Sequence, residues 1–167
     1  MPESLNQFLN KRHEKGKSAY ESMDDFGAWD GFYKTLSSLY PDNAHFVFEL
    51  LQNAEDAKAT KVRFELSDES LIFKHNGSKD FNKKDIESIT NVGNSTKTEE
   101  TNTIGKFGVG FKSVFAYTTT PKIYSKTISF KIEKLFIPSL IDPEPIRGGY
   151  STKFVFPFDR DDKSKID

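Results

Sequence analysis

The stretch Gly105-Lys106-Phe107-Gly108-Val109-Gly110-Phe111 sets three glycines in a G-x-x-G-x-G spacing between a polar run and an apolar one. Glycines at such spacing let backbone amides approach an anion, and a helix starting near Phe111 would aim its positive end at it. The spacing alone is a weak signal, shared with dinucleotide-binding domains. Those want a strand directly before the glycines and a helix that crosses to a parallel strand. Here the preceding segment, Asn91 to Thr103, has almost no apolar content and reads as a mobile loop. The turn therefore points to phosphate binding in another fold, with a purely structural turn as the plainer alternative.

Upstream, Glu49, Asn53, Asp56 and Ala57 stand in the pattern E-x-x-x-N-x-x-D-A. With each helical residue advancing by about 100°, Glu49, Asn53 and Asp56 fall within an arc of roughly 60°. Phe46, Val47, Leu50, Leu51, Ala54 and Ala57 occupy another side. Such a column on an arbitrary helix is usually a solvated face. Here the flanks are strongly apolar, and Asn53 is a poor helix former with no evident structural reason for its place. A carboxylate and an amide one turn apart suit a hydrated Mg²⁺ and a water to be activated.

Composition narrows the classes further. At 167 residues the chain is long enough for one core, not two. Sixteen phenylalanines against one tryptophan predict a core of phenylalanine packing. A formal net charge of −1 gives no global reason to expect nucleic acid or an anionic membrane as partner. With no cysteine, a disulfide scaffold, a thiol nucleophile and a cysteine zinc site are excluded. His13, His45 and His75 lack metal-ligand spacing. No signal-like or membrane-length apolar run is present, so a cytoplasmic protein is expected.

Helical spacing predicts an N-terminal helix over 3–22, a second carrying Trp29, Phe32, Tyr33 and Leu36, and a third over roughly 43–58, capped at Pro41-Asp42-Asn43. Alternation predicts strands at Val62–Leu66 and Leu71–Phe73, then a short helix over 82–90. Further strands are expected at 122–125, 128–133 and 151–158. The pattern predicts an α+β two-layer sandwich with a mixed, mostly antiparallel sheet. Residues 1–158 form one domain in this reading, with helices in 1–40 and a frayed charged tail over 159–167.

The segment Glu49-Leu50-Leu51-Gln52-Asn53-Ala54-Glu55-Asp56-Ala57 is similar to the N-box of the GHKL, or Bergerat-fold, ATPases, and Ile104–Phe115 resembles their second glycine box, nearest the heat-shock-chaperone form. That superfamily includes gyrase-type topoisomerases, large chaperones, histidine kinases and MutL-like repair proteins. Within it, His45–Ala57 and Ser129–Pro145 most resemble the sacsin-like proteins. The resemblance covers roughly residues 40–158 and implies a Bergerat fold.

By that resemblance, Glu49 would be the general base, Asn53 would ligate Mg²⁺, and 91–104 would be the ATP lid. The box residues Gly105, Lys106, Phe107, Gly108, Val109, Gly110 and Phe111, with Asp56, Ala57 and Gly77, would line the nucleotide. Thr152 resembles a late-strand threonine that helps hold adenine. The family's adenine-reading aspartate is matched here by His75, whose one acceptor nitrogen could receive the adenine amino group in the right tautomer. A structural histidine is the alternative, as is Asp80 taking over the role. Lys106 and Lys112 are either phosphate contacts or surface lysines.

The implied function is an ATP-binding, Mg²⁺-dependent ATPase domain of a chaperone-like or conformational-switch protein. Further domains or protein clients would be its partners, and an ATP-dependent dimer is compatible with it. The alternative is a module that senses nucleotide without hydrolysing it.

Overall fold

The computed structural model describes residues 3–38, 45–92 and 110–160. Helix α1 (Leu5–Asp25) starts at a reciprocal cap: Ser4 Oγ accepts from the Gln7 amide, and Gln7 Oε1 accepts from that of Ser4. It ends where Gly27 turns left-handed (φ 66°), so that Gly27 N–H reaches Asp24 O and Ala28 N–H reaches Met23 O. Helices α2 (Trp29–Ser38) and α3 (His45–Asp56) follow. After the hairpin of β1 (Val62–Leu66) and β2 (Ser70–His75) comes α4 (Lys83–Thr90). A 3-10 helix (Gly110–Ala116) then leads into β3 (Lys122–Ser125), β4 (Ser129–Glu133), β5 (Ile137–Leu140) and β6 (Thr152–Pro157).

The six strands form one sheet in the order β1-β2-β6-β3-β4-β5. Each pairing is antiparallel, so the mixed character expected of the sheet is not seen among the described residues. The last strand in sequence thus lies centrally, between β2 and β3. Strand alternation sorts the faces. Phe73, Ile123, Phe130, Ile132, Phe154 and Phe156 are buried beneath Leu50 and Ala54 of α3, Ile86 and Ile89 of α4, and Phe111 and Val114 of the 3-10 helix. The opposite face carries Lys74 with Glu65, and Lys153 beside Tyr124. The result is the expected two-layer α/β sandwich with a phenylalanine-rich core.

Strand β5 escaped the sequence reading because Pro138 breaks its pattern. It lies at the sheet edge, where a missing N–H costs no ladder bond on its open side. Helix α1 packs against that edge: a Cβ on Gly16 would sit 3.2 Å from Ile137 Cγ1, and His13 Nδ1 lies 3.0 Å from Pro138 O. The tail boundary also moves. Asp159 Oδ1 accepts from the Thr119 amide at 2.6 Å, and Arg160 donates to Tyr33 Oη and Phe115 O, so these two residues belong to the domain. Residues 161–167 lie outside the described residues.

Candidate functional site

A cavity of about 300 Å³ opens between the C-terminal half of α3, the start of α4 and the ends of β2 and β6. That volume is at the small end of ligand pockets. Asn53, Asp56 and Ala57 enter it from α3, His75 from β2 and Thr152 from β6. The β2–β6 register sets His75 directly opposite Thr152, which brings together two residues far apart in sequence.

The residues of this wall are buried, and their unpaired polar atoms open onto the cavity. Asn53 is 7% exposed, His75 3% and Thr152 4%. Among the described residues, the Asn53 side-chain amide, the His75 Nε2 and the Thr152 hydroxyl have no protein hydrogen-bond partner. None of these atoms is sealed from solvent without a partner, so the cavity can satisfy all three with water or a polar occupant.

His75 differs from its sequence-based expectation. Its Nδ1 accepts the Gly77 amide at 3.0 Å, so in the neutral ring the proton sits on Nε2. Burial against the Phe73 and Phe154 rings pushes its pKa down to about 4, which keeps it neutral near pH 7. The acceptor nitrogen proposed for an adenine amino group is therefore already in use, and the ring has a donor left.

Gly77 also takes a different part. It does not line the cavity; a Cβ there would fall 2.6 Å from Ala57 Cβ and 2.8 Å from Ala57 O. Its place is a close approach to the end of α3, where the Ala57 carbonyl accepts from the Ser78 and Lys79 amides. Ser151 closes the loop from the other side, donating from its backbone to His75 O and from its hydroxyl to Gly77 O.

Helix α3 presents its polar column unevenly. Asn53 is buried, Asp56 is exposed at the rim, and Glu49 is half-buried and outside the cavity lining. Phe48, at 68% exposed, and Leu51 face outward, so the apolar side is narrower than the sequence suggests. Gly105, Lys106, Phe107, Gly108 and Val109 lie outside the described residues, as does 93–104 of the expected lid. Gly110 opens the 3-10 helix, and Phe111 is a core residue packed on Phe154 and Phe156. A seven-residue 3-10 helix has poorer bond geometry than an α-helix, which weakens the anion-binding argument for its N-terminus.

Lys112 is neither a phosphate contact nor a surface lysine. It is buried and donates to Ile89 O at 2.6 Å and Leu135 O at 2.5 Å, joining the 3-10 helix, α4 and the β4–β5 turn. Burial, with Arg12 nearby, lowers its pKa to about 7.

The sequence reading also missed part of the lining. Lys79, Phe81, Asn82, Asp85 and Ile89 border the cavity. Asn82 and Asp85 could have been found from their spacing. They form a reciprocal helix cap, Asn82 Oδ1 accepting from the Lys84 amide and Asp85 Oδ2 from that of Asn82. Burial raises the Asp85 pKa. Among the described residues no group of three His, Asp or Glu side chains is placed to hold a metal. The donor set fits only an ion that brings most of its ligands with it: Asn53 supplies one amide oxygen, and Mg²⁺ readily keeps waters and phosphate oxygens.

These features define a two-layer α/β domain with an open cavity between α3, α4 and the ends of β2 and β6. Residues 32–143 match the family described as Sacsin domain, and the chain belongs to that family. It is 33% identical over 121 residues to Protein NO VEIN of Arabidopsis thaliana, covering 66% of this chain and 4% of that protein. To Sacsin of Homo sapiens it is 32% identical over 112 residues, covering 56% and 2%. The chain thus spans only a small part of these relatives' length. Its fold is similar to that of the N-terminal domain of a DNA repair protein, with a TM-score of 0.50 at 20% identity over 74% of this chain and 38% of that one. No helix among the described residues is long and apolar enough to cross a membrane.

Proposed function

We propose that this domain is a GHKL-type nucleotide-binding module that takes ATP with Mg²⁺ in the cavity between α3, α4 and the β2–β6 strand ends. The observation that carries the reading is that one cavity gathers Asn53, from the helix whose sequence resembles the N-box, with His75 of β2 and Thr152 of β6. In this reading Asn53 holds the metal, and Thr152 and His75 meet the base. Bound Mg²⁺ supplies neutralisation of phosphate charge. Glu49, one turn before Asn53, orients water and accepts its proton in the hydrolysing form of the proposal. In a longer protein the bound nucleotide would bias a conformational change in neighbouring domains, clients or a second copy.

A module that binds nucleotide without turnover is the second reading, favoured by the position of Glu49 outside the cavity lining. Calorimetric titration with ATP and ADP, with and without Mg²⁺, combined with phosphate-release assays, tests both. Asn53→Ala is expected to weaken Mg²⁺-nucleotide binding about tenfold or more, for a charged-group contact of roughly 1.5–3 kcal/mol. Glu49→Ala should keep binding and lose any phosphate release. Binding without Glu49-dependent release selects the sensing form. A folded wild type that binds no nucleotide refutes the proposal.

A further inference from the structure

The two edges of the sheet differ. Strand β5 carries Pro138 and packs against α1, two devices that keep an edge from pairing. Strand β1 has neither among the described residues. Its Val62, Phe64 and Leu66 share the sheet face that holds Phe73, with the Phe64 and Phe73 rings 4.7 Å apart. They are nonetheless 40%, 37% and 76% exposed. Leu66 also borders an apolar cavity of about 250 Å³ with Phe46, Leu71 and Phe156, so uncovered apolar surface runs inward from the edge.

The open hydrogen-bonding positions of β1 follow from its pairing with β2. The Ser67 amide donates to Ser70 O and the Asn76 amide to Lys61 O, and one register runs between them. Alternate residues of an antiparallel strand bond to a given neighbour, so Arg63 and Glu65 turn their N–H and C=O toward β2. Those of Val62, Phe64 and Leu66 point to the open side. An antiparallel strand added there must set its own outward-pointing residues opposite these three.

For a second copy of β1, three two-fold registers centre inside the strand. Centred on Arg63, two arginines meet; centred on Glu65, two glutamates meet, and like charges directly opposite are unfavourable. Centred on Phe64, Val62 faces Leu66 and each Arg63 faces the Glu65 of the other copy. These Arg–Glu positions are the non-hydrogen-bonded ones, where side chains approach most closely. Both groups already meet at the surface within one strand, Arg63 Nε lying 2.8 Å from Glu65 Oε1, so the exchange brings no charge out of the core.

We propose that two copies of this domain join antiparallel along β1, about a two-fold axis at Phe64, into one continuous sheet. The charge order of Val62-Arg63-Phe64-Glu65-Leu66, complementary to itself when reversed, selects a second copy over an unrelated extended segment. The pairing is independent of what the cavity between α3 and α4 binds. A five-residue edge is short, so the dissociation constant is expected on the order of 10–100 μM.

Sedimentation velocity of the protein without nucleotide, from about 5 to 500 μM, is the test, and the wild type should pass from monomer to dimer across that range. Arg63→Glu sets two Glu–Glu pairs across the axis and Glu65→Arg two Arg–Arg pairs, so each variant alone should dimerise about tenfold less tightly. An equimolar mixture of the two restores both opposite-charge pairs and should dimerise as the wild type does. A wild type that stays monomeric throughout overturns the proposal, as does a dimer that ignores both reversals or that mixing fails to restore. Should either variant not fold, amide exchange of the wild type decides. Protection of the Val62, Phe64 and Leu66 amides that rises with protein concentration supports the pairing, and unchanged exchange overturns it.

Discussion

Replacing Gly77 by alanine tests how the cavity wall is built. The added Cβ would lie 2.6 Å from Ala57 Cβ, 2.8 Å from Ala57 O and 2.9 Å from His75 Nδ1. Two of these neighbours are backbone or one bond from it, so relief requires the loop to move away from α3. Overpacking of this kind costs about 1–3 kcal/mol, and displacing the Gly77 amide from His75 Nδ1 removes a bond worth about 1 kcal/mol. The expected loss is about 2–4 kcal/mol, read by urea unfolding followed through the single tryptophan, Trp29. Adding Ala57→Gly removes the shortest contact but leaves the Ala57 carbonyl in place, so it should restore about half of the loss. A Gly77→Ala protein within about 0.5 kcal/mol of wild type would refute the close-approach argument.

Lys58 occupies the left-handed position (φ 61°) of a helix-ending turn, with its N–H on Glu55 O and that of Ala59 on Ala54 O. Lys58→Gly keeps those bonds and removes the Cβ penalty, so urea unfolding should show a gain of about 0.5–1 kcal/mol, net of the extra freedom glycine gives the unfolded chain. Lys112 has a folded-state pKa lowered to about 7 from 10.5. Between those values the unfolded chain binds the proton and the folded one does not, so this group makes stability rise with pH above about 7, by at most about 1.4 kcal/mol per pH unit. Unfolding titrations from pH 7 to 9 should show that rise, and Lys112→Met should be flatter by that amount. Equal slopes would mean that Lys112 keeps its charge in the fold.

Residue patterns alone carried much of the architecture. Alternating Val62, Phe64 and Leu66 predicted a strand paired with the next one, although these side chains stay exposed, and the three- and four-residue spacing of Leu5, Phe8 and Leu9 predicted α1. Asn53 stood out in the sequence as a poor helix former among apolar neighbours, and the structure sets it at the cavity. Strand β5 was not legible, since only its place at the sheet edge makes Pro138 acceptable.

The sequence determined the family, the order of most elements and the residue types available to the cavity, all of which depend on near neighbours along the chain. Tertiary structure decided what those residues do. The antiparallel register set Thr152 beside His75, and close packing made Gly77 a spacer against Ala57. One backbone amide left His75 a donor where its side chain alone allowed either role. Lys112 became a buried staple because two carbonyls from distant segments converge on it. Such roles depend on which polar groups meet in space after the chain has closed, and hydrogen-bond partners more than a few residues apart leave no periodic trace in the sequence.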